Sequence, residues 1–326
     1  MGRPETKFNG FIGQRRSVAY LERVIRGAKM RAVLCEPLVL IGPAGFGKTS
    51  LAKAVAAKYG SDMLSIFASC DTKASEIHAV LREVRHGDFL LIDESHTLTA
   101  DAQQSLHLAL DECRIPVEKN RGTKSNGFES IAEFTLILAT NEPGKIKKAL
   151  WSRLKPIELD RYSAKELKEI AEHFSMSFGF LISPQAAKLL AAVSQGSPRI
   201  IKSRIRSLRL FFPSIQTLSK QQVCNFLKCS GIDEFGFTPH QRGYLRLLSE
   251  MGQNVCNLER LSVFLGCDPA HIRQNIEPYF FEEGLVKLSS RRGRILTKKG
   301  VDIALQLTDS GTITEKIKNG YSASRR

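Results

Sequence analysis

The stretch Gly42-Pro43-Ala44-Gly45-Phe46-Gly47-Lys48-Thr49 constrains this chain more than any other. It follows the apolar run LVLI and opens the stretch SLAKAVA, so strand, glycine turn and helix come in immediate succession. Glycines at those places let backbone N–H groups wrap phosphate oxygens at a helix N-terminus, whose dipole favours an anion. The pattern GxxxxGK[ST] is therefore read as a phosphate-binding loop. Gly42, Gly45, Gly47 and Ser50 surround the phosphates, Lys48 neutralises β/γ charge, and the Thr49 hydroxyl holds Mg²⁺.

Binding alone does not make a catalyst, and two further apolar segments supply what hydrolysis needs. FLLI at 89–92 ends in Asp93 and Glu94. Asp93 is read as organising the water shell of the metal, and Glu94 as orienting or deprotonating the attacking water. FTLILAT at 134–140 leads into Asn141, whose amide can hydrogen-bond the γ-phosphate or its water. Buried strands recurring between amphipathic stretches predict an α/β domain with a parallel sheet over 1–160.

Near Tyr162 the pattern changes. AKELKEIAEHFSMSFGF, SPQAAKLLAAVSQG, SPRIIKSRIRSLRLFF and SKQQVCNFLKC carry apolar residues at helical spacing behind Ser, Ala or Pro, which predicts a small helical lid over 161–235. HQRGYLRLLSEM, NLERLSVFLG and PAHIRQNIEPYFFEEG then precede the apolar–basic–apolar stretch LVKLSSRRGRILT. Three helices closed by a β-wing is the winged-helix plan, expected over 236–308, with 309–326 read as a mobile tail.

Charge indicates the class of partner. Lys and Arg number 48 against 33 Asp and Glu, a formal charge of +15 that attracts polyanions, nucleic acid first among them. The bias concentrates in the wing, where residues 287–299 contain no acid and Lys287, Arg291, Arg292 and Arg294 are the candidate DNA contacts. The lid stretch with Arg199, Lys202, Arg204, Arg206 and Arg209 is also basic, and part of it is expected to face nucleotide or a neighbouring subunit. No apolar run approaches the roughly 18 residues of a membrane span. The start MGRPETKFNGF lacks a signal-peptide core, so a cytosolic, cytoplasmic protein is expected. The seven cysteines form no CxxC pair and are read as reduced packing residues rather than zinc ligands.

Phosphate loop, carboxylate pair, polar strand end, Arg153 after a helix and Arg199 opening another follow the order of an AAA+ ATPase. Over about residues 3–305 the chain resembles the RuvB family of Holliday-junction branch-migration motors. The resemblance rests on RP…FIGQ, GPAGFGKTSLA, GDFLLIDESHTL, FTLILATN, GSPRIIKSRIR, GIDEFGF and IEPYFFEEGLV…RRGR. It implies that Arg3, Phe11 and Ile12 lie against adenine, Tyr162 closes over the nucleotide, and Arg199 senses the γ-phosphate. Arg153 becomes a finger offered to a neighbouring subunit, which implies a homo-oligomeric ring, expected to be hexameric, that uses ATP to move duplex or four-way-junction DNA.

The departures are specific. Trp151 stands where the family has an arginine (LWSRL against LRDRF), and Ser95 and Thr97 replace the Ile and Arg of DEIHRL. The region 113–131, where the family places an apolar hairpin that docks the junction-binding protein RuvA, carries Lys119, Arg121 and Lys124. That composition fits a different partner, direct DNA contact or a solvated loop. The alternative to a motor is a nucleotide-gated switch or scaffold with little turnover, which sustained DNA-stimulated ATPase would exclude.

Overall fold

The computed structural model describes residue 8 and residues 10–117, 127–252, 254–290 and 293–309. The chain packs as two units, Met1–Ala191 with Gly196–Thr217 and Ala192–Gln195 with Leu218–Arg326.

The first unit is built on the strands β1 (Leu38–Ile41), β2 (Met63–Phe67), β3 (Phe89–Asp93), β6 (Thr135–Thr140) and β7 (Lys155–Glu158), with β4 (Arg114–Pro116) and β5 (Phe128–Ser130) forming a separate hairpin. The five are parallel in the order β2-β3-β6-β1-β7. Their apolar residues run without alternation because both faces are covered: all of β6 is buried, and so are Phe89 to Ile92 of β3. Leu90, Ile92, Leu136 and Leu138 pack with Ile77 and Leu81 of α3 (Ala74–Glu83) and Leu106 of α4 (Ala100–Glu112).

Register places the chemistry. Ile41 lies opposite Thr140, and Ile92 opposite Leu138, so the carboxyl ends of β1, β6 and β3 stand side by side. Strand order crosses there, and a crevice beyond the strand ends is where open α/β sheets take ligands. The phosphate loop leaves β1 and enters α2 (Lys48–Tyr59) at that edge.

Helix α1 (Arg15–Arg31) precedes the sheet. After α5 (Lys148–Trp151) and β7 come α6 (Ala164–Ser177), α7 (Pro184–Ala192) and α8 (Pro198–Phe211). Ser163 and Glu166 form a reciprocal capping box at the start of α6, which sets where that helix begins. Trp151, the departure beside Arg153, packs half-buried against the sheet-side core at the end of α5. The β4–β5 hairpin pairs Arg114 with Ser130, while Lys119, Arg121 and Lys124 lie outside the described residues.

The second unit contains α9 (Lys220–Cys229), α10 (Pro239–Met251), α11 (Leu258–Leu265), α12 (Pro269–His271), α13 (Glu277–Glu282) and α14 (Lys298–Asp309). Strands Val286–Leu288 and Arg294–Leu296 pair antiparallel as the wing. The expected single helix PAHIRQNIEPYFFEEG is instead divided by a π-helical turn over Ile272–Ile276. Pro278 has no N–H to return to the carbonyl one turn earlier and its ring crowds that carbonyl, so the backbone widens ahead of it. Tyr244, Leu245, Leu248, Leu261, Ile276 and Phe280 form this unit's core. The parallel-sheet domain and the three-helix-plus-wing plan are thus both present. Cys35 and Cys256 are buried as packing residues, whereas Cys70 and Cys229 are exposed. Among the described residues no group of three or more His, Cys, Asp or Glu could hold a metal, and no helix is long and apolar enough to cross a membrane.

Candidate functional site

Gly45 and Gly47 take positive φ, 84° and 91°, and Gly47 is the left-handed residue from which α2 starts. A Cβ on Gly45 would lie 2.7 Å from Ser197 Oγ and 2.9 Å from Arg199 Cβ. Both the backbone angle and the close approach of α8 therefore require glycine there. This brings Arg199 to the loop from 154 residues further along the chain than Gly45.

Lys48 is buried, and its Nζ donates to Gly42 O at 2.8 Å and Pro43 O at 3.0 Å. Burial pulls its pKa below the usual lysine range, Glu94 and Asp93 oppose that shift, and Arg199 adds to it. The carbonyls are neutral acceptors, so an anion held by the loop amides would add counter-charge beside the ammonium.

Thr49 Oγ1 donates to Asp93 Oδ2 at 2.5 Å, and Glu94 N donates to Asp93 Oδ1 at 3.0 Å. A hydroxyl and a carboxylate converging beside the phosphate loop form an oxygen donor set suited to Mg²⁺. Glu94 has φ 52° and ψ 38°, the left-handed region, which a residue other than glycine enters only when its surroundings hold it there. The two departures from the family motif do that holding. Ser95 is fully buried and donates from Oγ to Ala139 O at 3.1 Å, and Thr97 Oγ1 donates to Glu94 O at 2.9 Å.

A cavity opens beside the loop residue Gly47 and along α2. Its volume is about 380 Å³, and Phe11, Ile12, Ala54, Tyr162, Ile170 and Pro198 supply most of its apolar wall, with Ser50, Lys53 and His173 on its rim. Gln14 fixes the Phe11–Ile12 segment: Nε2 donates to Asp160 O at 2.7 Å and Oε1 accepts from Asp160 N at 2.8 Å. Tyr162 Oη donates to Phe46 O at 2.9 Å, and burial pushes the phenol up to about 12.

The structure therefore brings together Phe11, Ile12, Gly42, Gly45, Gly47, Lys48, Thr49, Ser50, Asp93, Glu94, Tyr162 and Arg199. Arg3 lies outside the described residues. Asn141 is exposed just past β6, while the residue at the end of β6 beside Asp93 and Glu94 is the buried Thr140. Arg153 is also exposed, and its guanidinium meets Asp111 in a bidentate pair, Nε to Oδ1 at 2.5 Å and Nη2 to Oδ2 at 2.7 Å. That pair holds the Asp111 carboxyl below the usual range. Sequence reasoning missed Asp111, Lys53, Ala54, His173 and His96. Only Lys53 and Ala54 carried a readable signal, lying three and four residues after Ser50 on one face of α2.

In the wing, Lys287 is exposed. Arg294, also expected to meet DNA, is engaged within its own unit. Its Nε donates to Glu277 Oε1 at 2.6 Å and its Nη2 to Oε2 at 3.0 Å. The two side chains are only 12% and 4% exposed. Tyr244 Oη also donates to Glu277 Oε1, at 3.0 Å. Strand register turns this arginine toward α13, and its charge is matched within the unit. Gly293 is equally structural, because a Cβ there would come within 1.8 Å of Val255 Cγ1. Arg291 and Arg292 lie outside the described residues. The lid bases are partly engaged too: Arg204 is buried, Lys202 Nζ sits 5.6 Å from the Phe174 ring centroid, and Arg209 Nη1 donates to Ile215 O at 3.4 Å.

Residues 3–158 match the family model for the Holliday junction DNA helicase RuvB P-loop domain, and residues 234–304 that for the RuvB C-terminal winged helix domain. The Holliday junction branch migration complex subunit RuvB of Kosmotoga olearia is 31% identical over 303 residues, 91% of this chain and 88% of that protein. The subunit from Thermotoga maritima is 30% identical over 295 residues, 89% and 88% of the two chains. The solved Thermotoga maritima RuvB Holliday junction branch migration motor superposes with a TM-score of 0.75 at 29% identity, covering 90% of this chain and 95% of that one. A phosphate loop facing an Asp-Glu strand end, a lid arginine against that loop and a winged helix, in one chain so matched along its length, place this protein in the RuvB family of Holliday junction DNA helicases.

Proposed function

We propose that this chain is an ATP-driven motor that moves branched duplex DNA, its subunits acting in a homo-oligomeric, hexameric ring. The observation that carries the reading is the convergence of Lys48, Thr49, Asp93 and Glu94 at adjoining strand ends in a chain that also carries a winged helix. Lys48 and the loop amides bind and orient the phosphates, and Phe11, Ile12 and Tyr162 enclose the base. Glu94 takes up the proton of the attacking water, and Asn141, one residue past β6, orients that water or the γ-phosphate. Thr49 and Asp93 are the residues that would hold Mg²⁺, which when bound supplies charge neutralisation at the β/γ oxygens. Arg199 reads the γ-phosphate from α8. Steady-state ATPase measured with duplex, fork, four-way-junction and single-stranded DNA tests the reading. Sustained stimulation by branched DNA is expected, and a single turnover unaffected by any DNA would indicate a nucleotide-gated switch.

Arg153 is the finger for a neighbouring site, and Asp111 holds its guanidinium until a subunit docks. Arg153→Ala mixed with Glu94→Gln should regain ATPase, since each Arg153→Ala site keeps its own Glu94 and receives Arg153 from the other protein. Absence of recovery in rings shown by mass to be mixed would place Arg153 within its own subunit's structure.

DNA contact rests on Lys287, Arg291 and Arg292, with Arg294 withdrawn from that set. Replacing Lys287 and Arg292 by Ala should lower binding about equally for unrelated duplexes. It should also flatten the salt dependence by about two units of log K per log salt. An unchanged slope in a fluorescence-anisotropy salt titration would remove the wing from the interface. A junction-binding partner of the RuvA kind would meet the β4–β5 hairpin, where Val117 and Phe128 are exposed at the end of the strands away from the Arg114–Ser130 pair.

A further inference from the structure

His96 belongs to no role described so far, yet it lies between the two catalytic strand ends. Its imidazole is 12% exposed. Nδ1 is 3.5 Å from Glu94 Oε2 and 3.4 Å from Thr140 Oγ1, and Nε2 is 3.5 Å from Glu142 Oε1. Thr140 Oγ1 accepts from Glu142 N at 2.9 Å, and Lys145 Nζ meets Glu142 Oε2 at 2.9 Å, so the far end of the chain of contacts is itself anchored. Asn141 stands between Thr140 and Glu142. The imidazole thus spans from the carboxylate at the end of β3 to the turn that carries Asn141 at the end of β6.

We infer that His96 is a positioning residue that ties the Glu94 carboxylate to the Asn141 turn, so that the group that activates water and the group that senses the γ-phosphate keep one geometry. Three observations support this role over simple packing. Both ring nitrogens face polar oxygens, where an apolar side chain would fill the space equally well. Glu94 holds a left-handed backbone, so its side chain has no regular element to orient it. The backbone of its turn is already secured by Ser95 and Thr97, which leaves the carboxylate as the part still to be fixed. A carboxylate displaced by about 1 Å from its water loses on the order of 100-fold in rate, so a single lateral contact is enough to matter.

The inference rests on the reading that Glu94 activates water, and the experiment separates the two. His96→Ala, His96→Asn and His96→Gln are made in the full-length chain, and each also on a Glu94→Gln background. Four quantities are measured: ATPase kcat and KM, affinity for a non-hydrolysable fluorescent ATP analogue, and the thermal midpoint.

The expected result for His96→Ala is a roughly 10- to 100-fold fall in kcat. Analogue affinity and thermal midpoint should stay close to the parent. Asparagine places an amide near the Nδ1 position and should recover most of the loss. Glutamine, which reaches toward Glu142 instead, should not. On the Glu94→Gln background, His96→Ala should cost nothing further. The inference is overturned by parent kcat in the alanine variant. It is equally overturned if all three variants lose kcat, affinity and midpoint together, or if the loss is undiminished when Glu94 is already Gln. Parent-rate hydrolysis by Glu94→Gln itself would instead reject the role of Glu94, whatever His96 does.

Discussion

Glu94→Gln is expected to bind ATP as the parent does and to hydrolyse it at least about 100-fold more slowly, the lower end of what a positioned general base contributes. The amide keeps the shape of the side chain and its oxygen can still accept a hydrogen bond, but it cannot take up a proton from water at neutral pH. Lys48, Thr49 and the loop amides are untouched, so the phosphates remain held. Lys48→Ala makes the opposite separation. It removes the ammonium that now turns onto Gly42 O and Pro43 O, and affinity itself should fall. Equilibrium binding of a fluorescent ATP analogue alongside phosphate release distinguishes the two. Hydrolysis by Glu94→Gln at the parent rate would mean that another group activates the water.

The largest effect on stability is expected at Glu277. Its carboxylate lies within the winged-helix unit and accepts from Arg294 through both oxygens and from Tyr244 through Oε1. Charge-assisted bidentate pairing raises the Arg294 pKa further, and burial beside Glu277 pushes the Tyr244 phenol up. Glu277→Ala leaves a guanidinium buried with no counter-charge and a tyrosine hydroxyl with no acceptor. Breaking a buried pair by removing one partner costs about 3–5 kcal/mol, against about 0–1 kcal/mol for an exposed one. Denaturant unfolding followed by tryptophan-independent signals such as far-UV CD should show that loss, while Glu277→Gln, which still accepts hydrogen bonds, loses less. Arg294→Met supplies the converse. It should leave the salt dependence of DNA binding unchanged, and a fall of about one unit in the salt slope with stability intact would return Arg294 to the DNA interface.

These two sites differ in how much of them the chain itself discloses. The phosphate loop and the Asp93–Glu94 strand end are local patterns: each residue's role follows from neighbours within ten positions, and the parallel sheet that aligns them follows from unbroken apolar runs. Tyr162 and Arg199 were readable only through resemblance to a family, because nothing near them in sequence shows that they return to the loop. The pairing of Glu277 with Arg294 has no local signature. Glu277 carried no reading of its own, and Arg294 in RRGR reads as one of the candidate DNA contacts; 17 residues of helix, turn and strand bring the two together. The π turn before Pro278 was concealed for a related reason, since helical spacing of apolar residues survives a single widened turn. His96 and Asp111 pair across strand ends and across 42 residues of sequence respectively, and such partners are set by tertiary packing alone.

The central claim is that ATP turnover at Glu94 moves DNA, and strand movement on a mobile four-way junction measures it most directly. The junction is labelled on two arms and supplied with a RuvA-type protein, and dissociation into duplex products is timed with the parent chain and with Glu94→Gln, each with ATP and with a non-hydrolysable analogue. The account predicts product formation only for the parent with ATP, at a rate that follows its DNA-stimulated ATPase. Equal product formation by Glu94→Gln, or by the parent with the analogue, would show that nucleotide binding rather than hydrolysis drives the junction and would contradict the account.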